Sequence, residues 1–368
     1  MQLSTHAQRL ERWLGAERVE HLSQSMKDWH GPPIAVAGVP GNVWAHTGGD
    51  FRGRIQSGQF VSAVDFAVMR LKRIWRHTAQ RQMIQANAGF ASLSDLISEA
   101  TTGKSRYFQF LKNGPTGTAN TSSSLWRLGA QPPAGATPGA AAAGTVFTSG
   151  STGAFPFTDP TGGDTQHFVR ADPSATVAGN TLLLYDLLFG VAKTMASVST
   201  EAVTGVPTRY QSQTSSNMDY IGGNFLSIHV GGTQLSATAH NWTVCTYTDQ
   251  AGAASTLPSI AGVSAAIVDR LDHASWFCPL ESGDVGIKAL TQMQCSASVA
   301  TGVIWFMIGH PIAFMPCPVV NMVCTLDGIN TAFNLVRIFD AACLAFLEVL
   351  KPSTSPSNYT GIFQTVAG

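Results

Sequence analysis

Asp269, Arg270, Asp272 and His273 lie within five residues of one another, and Ser275 follows two positions later. A serine hydroxyl, an imidazole and a carboxylate are the parts of a nucleophilic triad. The histidine takes the serine proton and the carboxylate orients the ring. Triad members usually meet in space from separate segments, so this charged run reads instead as a solvated turn. Other signatures of chemistry are missing. The chain has no Gly-x-Ser-x-Gly elbow, since Gly150-Ser151-Thr152-Gly153 lacks the first glycine, and no phosphate loop, His-Glu-x-x-His pair or acidic calcium loop. The ten histidines are scattered, with no two at i,i+4. The six cysteines (Cys245, Cys278, Cys295, Cys317, Cys324 and Cys343) form no CxxC pair and have no histidine at zinc-finger spacing. They read as free, buried, apolar thiols of a reducing compartment. The expectation is a protein that is not an enzyme and has no catalytic residue, metal or cofactor.

The strongest charged feature is a helix face. Val61, Val64, Val68, Leu71 and Trp75 step by three and four and make one apolar stripe. The opposite side carries Arg70, Lys72, Arg73, Arg76, His77 and Arg81. Three readings stand for that side: contact with nucleic-acid phosphates, a solvated face, or a contact with a neighbouring protein. Arg70, Arg73, Arg76 and Arg81 are the candidate assembly contact. Bulk charge argues against nucleic acid as a partner. The 368 residues hold 22 basic and 22 acidic groups, only 12% charged, where a soluble domain has about 25%. The zero sum hides two halves, +6 over residues 1–113 and −6 over residues 114–368. A surface so poor in charge fits a chain covered by partners.

The elements that would position these groups divide the chain in three. Residues 1–113 read as a helical N-terminal segment with an extended arm over 34–58, closing with a short helix from Ser92 to Ala100 that Ser92 and Asp95 start. Residues 114–165 are a Gly/Pro/Ala/Ser-rich linker or loop region, anchored by Trp126 and Leu128. Residues 166–368 read as a β domain. Leu182–Leu188 is a short apolar run, and Leu226, Ile228 and Val230 share one face of a strand against Ser227 and His229. Trp242, Val244 and Thr246 alternate in the next strand, which Asp249-Gln250-Ala251-Gly252 turns. Glu281–Asp284 is a turn before a strand through Val285, Ile287 and Ala289. Val303–Ile308 and Ile312–Met315 are apolar on both faces, but Pro311, Pro316 and Pro318 break the uncharged run that holds them, so it suits a buried strand and not a membrane span. Ala342–Leu350 suits helix or strand, and Tyr359–Val366 is the last strand.

Several strings in this order carry a resemblance: Ser124-Leu125-Trp126-Arg127 with Pro133-Ala134-Gly135, Thr181–Leu188, Thr208-Arg209-Tyr210, Cys245–Gly252, Gly286-Ile287-Lys288, Ile304–Phe314, Cys343–Leu347 and Tyr359–Gly368. Over about residues 105–368 the chain resembles tailed-bacteriophage virion structural proteins. The resemblance implies a mainly β fold, a jelly-roll-like β-sandwich C-terminal domain, and favours strand for Ala342–Leu350. It also implies a structural role in the particle shell or tail, without saying which part; the leading expectation is a head-associated structural subunit (capsid, minor capsid or decoration protein) that acts by symmetric assembly. The alternative is a tail, fibre or baseplate component that binds host glycans through Trp242 or Trp276. The expected partners are other copies of the chain and neighbouring virion proteins, with neither nucleic acid nor membrane. The expected place is the virion, assembled in the host bacterial cytoplasm.

Overall fold

The computed structural model describes residues 90, 92–196, 198–212, 220, 222–329 and 335–368. The expected helices and arm before residue 90, with Arg70, Arg73, Arg76 and Arg81, lie outside the described residues.

The described chain is mainly β and sandwich-like. It opens with one short helix, α1 (Leu93–Glu99), where expected: the Ser92 hydroxyl accepts from the Asp95 N–H at 3.1 Å. Leu96 packs α1 onto Phe90, Val169 and Val366.

Ten principal strands follow: β1 (Ser105–Asn113), β2 (Thr121–Ser124), β3 (Gln166–Ala175), β4 (Asn180–Thr194), β5 (Phe225–Val230), β6 (Asn241–Asp249), β7 (Ile287–Cys295), β8 (Val303–Cys317), β9 (Leu344–Lys351) and β10 (Asn358–Ala367). They form three sheets. The first has the order Leu326–Asp327, β3, β10, β1, Ala130–Gln131. The central sheet runs β2-β9-β4-β8-β5. The third places β6 and β7 side by side between the short pieces Ala254–Thr256 and Glu201–Ala202.

The two longest strands, β4 and β8, explain how three sheets share one block. Leu182 and Leu184 face the core under the first sheet, while Phe189 and Val191 face the core under the third. That sequence pattern is out of phase across Leu188, and the strand absorbs the mismatch there: Phe189 pairs with Ile308 and Leu187 with Gly309, leaving Leu188 as the extra residue. Ile312 is the matching extra residue on β8. The two bulges turn both halves of each strand to the same side. The first and third sheets therefore cover one face of the central sheet end to end. Leu183, Tyr185, Trp305, Met307 and Leu347 fill a separate core on its other face.

The central sheet also closes on itself. Residues 269–272 bond to β5 on one side, with Asp269 N to Val230 O at 2.9 Å and Asp272 N to Ile228 O at 2.7 Å. On the other side they bond to β2, with Ser124 N to Asp269 O at 2.7 Å and Leu271 N to Ser122 O at 3.0 Å. The result is a small barrel around the Trp305 and Leu347 core, its seam made by a segment too irregular to count as a strand. Closure of this kind removes open edges.

Several expectations change. β1 pairs with β10 along its whole length, Ser105 with Val366 through Asn113 with Asn358, so residues 105–113 belong to the β domain and not to the N-terminal segment. Residues 114–165 are no free linker. Trp126, Phe147, Phe155 and Phe157 are all buried, which ties this wandering segment to two cores. Pro311 and Pro316 do not end β8. Pairing with β5 stops at Gly309, so beyond it β8 has one free side, where a missing N–H costs nothing. In β6 a bulge at Thr243 moves the inward residues from Trp242 to Cys245 and Tyr247, away from Val244 and Thr246. Val285 stays outside its strand and exposed. Residues 344–351 are strand, and Asp249 turns the chain as expected by accepting from Ala251 N and Ala253 N at 2.8 Å.

Candidate functional site

Most of the buried polar groups with chemical capacity gather on and around the central sheet. Asp186 projects from β4 between the two cores that line the covered face. Its carboxylate takes both arms of the Arg209 fork, at 2.8 and 2.7 Å, and the Cys343 N–H at 2.9 Å. Arg209 spends its remaining reach on the carbonyls of Phe147 and Leu187. A buried charge pair so fully bonded ties β4, β9 and the loop before β5 together. It is buried, so no substrate reaches it in this conformation.

The 269–273 cluster, expected as a solvated turn, has Asp269, Asp272 and His273 buried and Arg270 half-buried, because residues 269–272 form the barrel seam. Asp272 accepts from His240 Nε2 at 2.9 Å, Trp242 Nε1 at 2.8 Å and Val263 N at 2.8 Å. His240 Nδ1 meets the Thr238 carbonyl at 3.2 Å, so both ring nitrogens face acceptors. Burial opposes a charge on this ring, but the hydrogen bond and charge of Asp272 outweigh it and raise its pKa. Asp269, at 3.6 Å from Arg127, is pushed up to about 6 by burial.

The nearest approach to a triad lies inside the barrel. Ser227 Oγ sits 2.6 Å from His229 Nε2. The other ring nitrogen, Nδ1, has no hydrogen-bond partner among the described residues, so no carboxylate orients the ring. Both residues are buried. Burial depresses the His229 pKa to about 3, far below the range of a working base. A hydroxyl and an imidazole in contact, without an orienting acid or access, form a packing pair. Glu348 is similar: its carboxylate accepts from Tyr359 Oη in a buried contact between β9 and β10. Among the described residues no group of three His, Cys, Asp or Glu could hold a metal ion. The six cysteines are free, and all but Cys324 are buried. Sequence patterns gave no sign of Asp186, Arg209 or His240 as partners, because each pair is made by the fold across many residues.

The outside contrasts with this. On the outer face of the first sheet, Tyr107, Gln109 and Leu111 of β1 point to solvent beside Ile362 of β10. The edge next to β3 is the loop carrying Val319, Val320, Met322 and Val323, the last two each 58% exposed. Leu111, Val323, Ile362, Gln109 and Asp172 line a shallow groove of 460 Å³ between them. A second aromatic group lies elsewhere. Trp276 packs against Phe225, Phe277 and Phe314, and the last two are exposed. Trp242 is buried and so is no surface platform. No helix among the described residues is long and apolar enough to cross a membrane.

No family model matches the chain, and no curated protein matches it. Among solved structures, a chain of the infectious bursal disease virus Gt strain structure aligns over 72% of this chain and 80% of its own length. Identity there is 10% and the TM-score 0.13, too slight a likeness to carry an argument.

Proposed function

We propose that the chain is a structural subunit of a tailed-bacteriophage particle, head-associated as a capsid, minor capsid or decoration protein, and that it acts by symmetric assembly with copies of itself and neighbouring virion proteins. The observation that carries the assembly part is the contrast, among the described residues, between buried ion pairs bonded within the chain and an apolar exterior left in solvent. Its strong polar groups bond to one another inside, while Tyr107, Leu111, Met322 and Val323 stand in solvent on one sheet. Contiguous apolar surface on a soluble chain marks contact with another macromolecule. In a symmetric shell one such patch is used many times. The phage context rests on the resemblance over residues 105–368.

The test has two arms. Light scattering of the purified chain should show a discrete oligomer, and an antibody to the chain should label purified particles in micrographs. A strict monomer that is absent from particles would sink the proposal. The tail, fibre or baseplate reading is supported by the exposed Phe277 and Phe314 around Trp276. Binding on a glycan array that disappears in Trp276→Ala would favour it.

A further inference from the structure

The barrel seam contains a gap. Asp272 N bonds to Ile228 O, and the next backbone bond along β5 is Cys278 N to Leu226 O. Between them residues 273–277 loop away. The Ile228 N–H, left behind by the departing backbone, points at His273 Nε2 at 3.4 Å. A ring nitrogen that accepts a hydrogen bond carries no proton, so this contact exists only while His273 is neutral at that atom. The loop it holds carries Trp276 and Phe277.

We propose that His273 is an acid-sensitive latch on the barrel seam: protonation of its imidazole frees residues 273–277 from β5 and exposes Trp276.

The groups facing the latch favour this. From the seam itself, Asp272 is the neighbouring carboxylate, but it is occupied by His240, Trp242 and Val263. From β5 comes His229, buried, which would repel a second charge. From β8, Trp305 lies opposite His229, and Arg127 stacks over that indole at 5.4 Å. Arg127 is in turn near Asp269. Burial holds His273 down at about 4, against the pull of Asp272 in the other direction. Because the closed-state value lies below the ordinary 6.5, the latch is fully effective above pH 6.5 and weakens as the pH falls toward 4. Over that interval the closed-to-open ratio drops about 80-fold, and well below pH 4 the drop approaches about 300-fold.

The experiment is hydrogen exchange of the full chain, followed by mass spectrometry from pH 7.5 to 4.5 and corrected for intrinsic exchange. Protection across residues 225–230 and 273–278 should fall at least tenfold, while β3 and β10 stay protected. His273→Gln offers an acceptor that does not titrate, so its protection should persist. Equal loss in His273→Gln, or no loss in the unmodified chain, would overturn the latch. A second measurement stands independently of the variant's folding. NMR titration of the wild-type imidazoles should place His273 well below 6, and a closed-state value at or above 6.5 would refute the proposal.

Discussion

Phe363 and Ile362 are neighbours on β10, yet they belong to two different regimes. Phe363 is buried, stacks on Phe108 at 4.8 Å and meets Phe155 edge-on at 5.0 Å. Ile362 turns the other way, to the groove beside Leu111 and Val323. The same division holds for charge. Inside, Asp186, Asp272 and Glu348 are held by partners on other segments of the chain. Outside, the first sheet and its edge loop show Tyr107, Leu111, Met322 and Val323 beside the surface pair Arg170–Asp172. A protein that bonds its charges inward and leaves apolar groups outward is stable on its own terms but chemically unfinished at its surface.

This contrast can be broken from either side. The largest effect is expected for Asp186→Ala, which leaves Arg209 charged and buried without its fork partner. Urea unfolding should show a loss of about 3–5 kcal/mol. Phe363→Ala should cost about 3–5 kcal/mol by the same measurement, and Ile362→Thr less than about 1 kcal/mol. Equal effects at these two positions would show that the outer face is covered within the chain. Asp272→Ala strands His240, Trp242 Nε1 and the Val263 N–H, for a loss of about 3 kcal/mol. The wild-type pair of Asp272 with His240 should weaken as pH rises through the raised histidine value, since the charged ring is what the carboxylate stabilises. That loss should be absent in Asp272→Asn. Ser92→Ala removes one helix cap and should cost about 1 kcal/mol. The smallest change in stability, within about 0.5 kcal/mol, is expected for Leu111→Ser combined with Met322→Ser. That variant should nonetheless lose self-association in light scattering, which is the sharpest form of the contrast.

Local signals in the sequence marked local structure well. Ser92 with Asp95 placed the short helix, Asp249–Gly252 placed a turn, and the alternation of Leu226, Ile228 and Val230 placed β5. What failed to show was anything set by distant partners. Phe147, Phe155 and Phe157 sit in a stretch with no period, so nothing in their spacing told that they anchor it. The extra residues Leu188, Thr243 and Ile312 shift the phase of strands whose composition alone looks regular. The charged run at 269–273 looked solvated because its bonding groups, His240, Trp242 and Ile228, lie elsewhere in the chain. The candidate site was legible only as a list of residue types. Its burial came from the seam.

The position of β10 has a consequence for synthesis. It lies between β3 and β1 in the first sheet, so the middle of that sheet is the last described strand to leave the ribosome. Until it arrives, β1 and β3 have no common neighbour, and Phe108 lacks its stacking partner Phe363. Folding of this sheet must therefore wait for translation past Ala367. Ribosome-bound chains stopped before Asn358 should be readily cut by protease between β1 and β3, where finished chains resist.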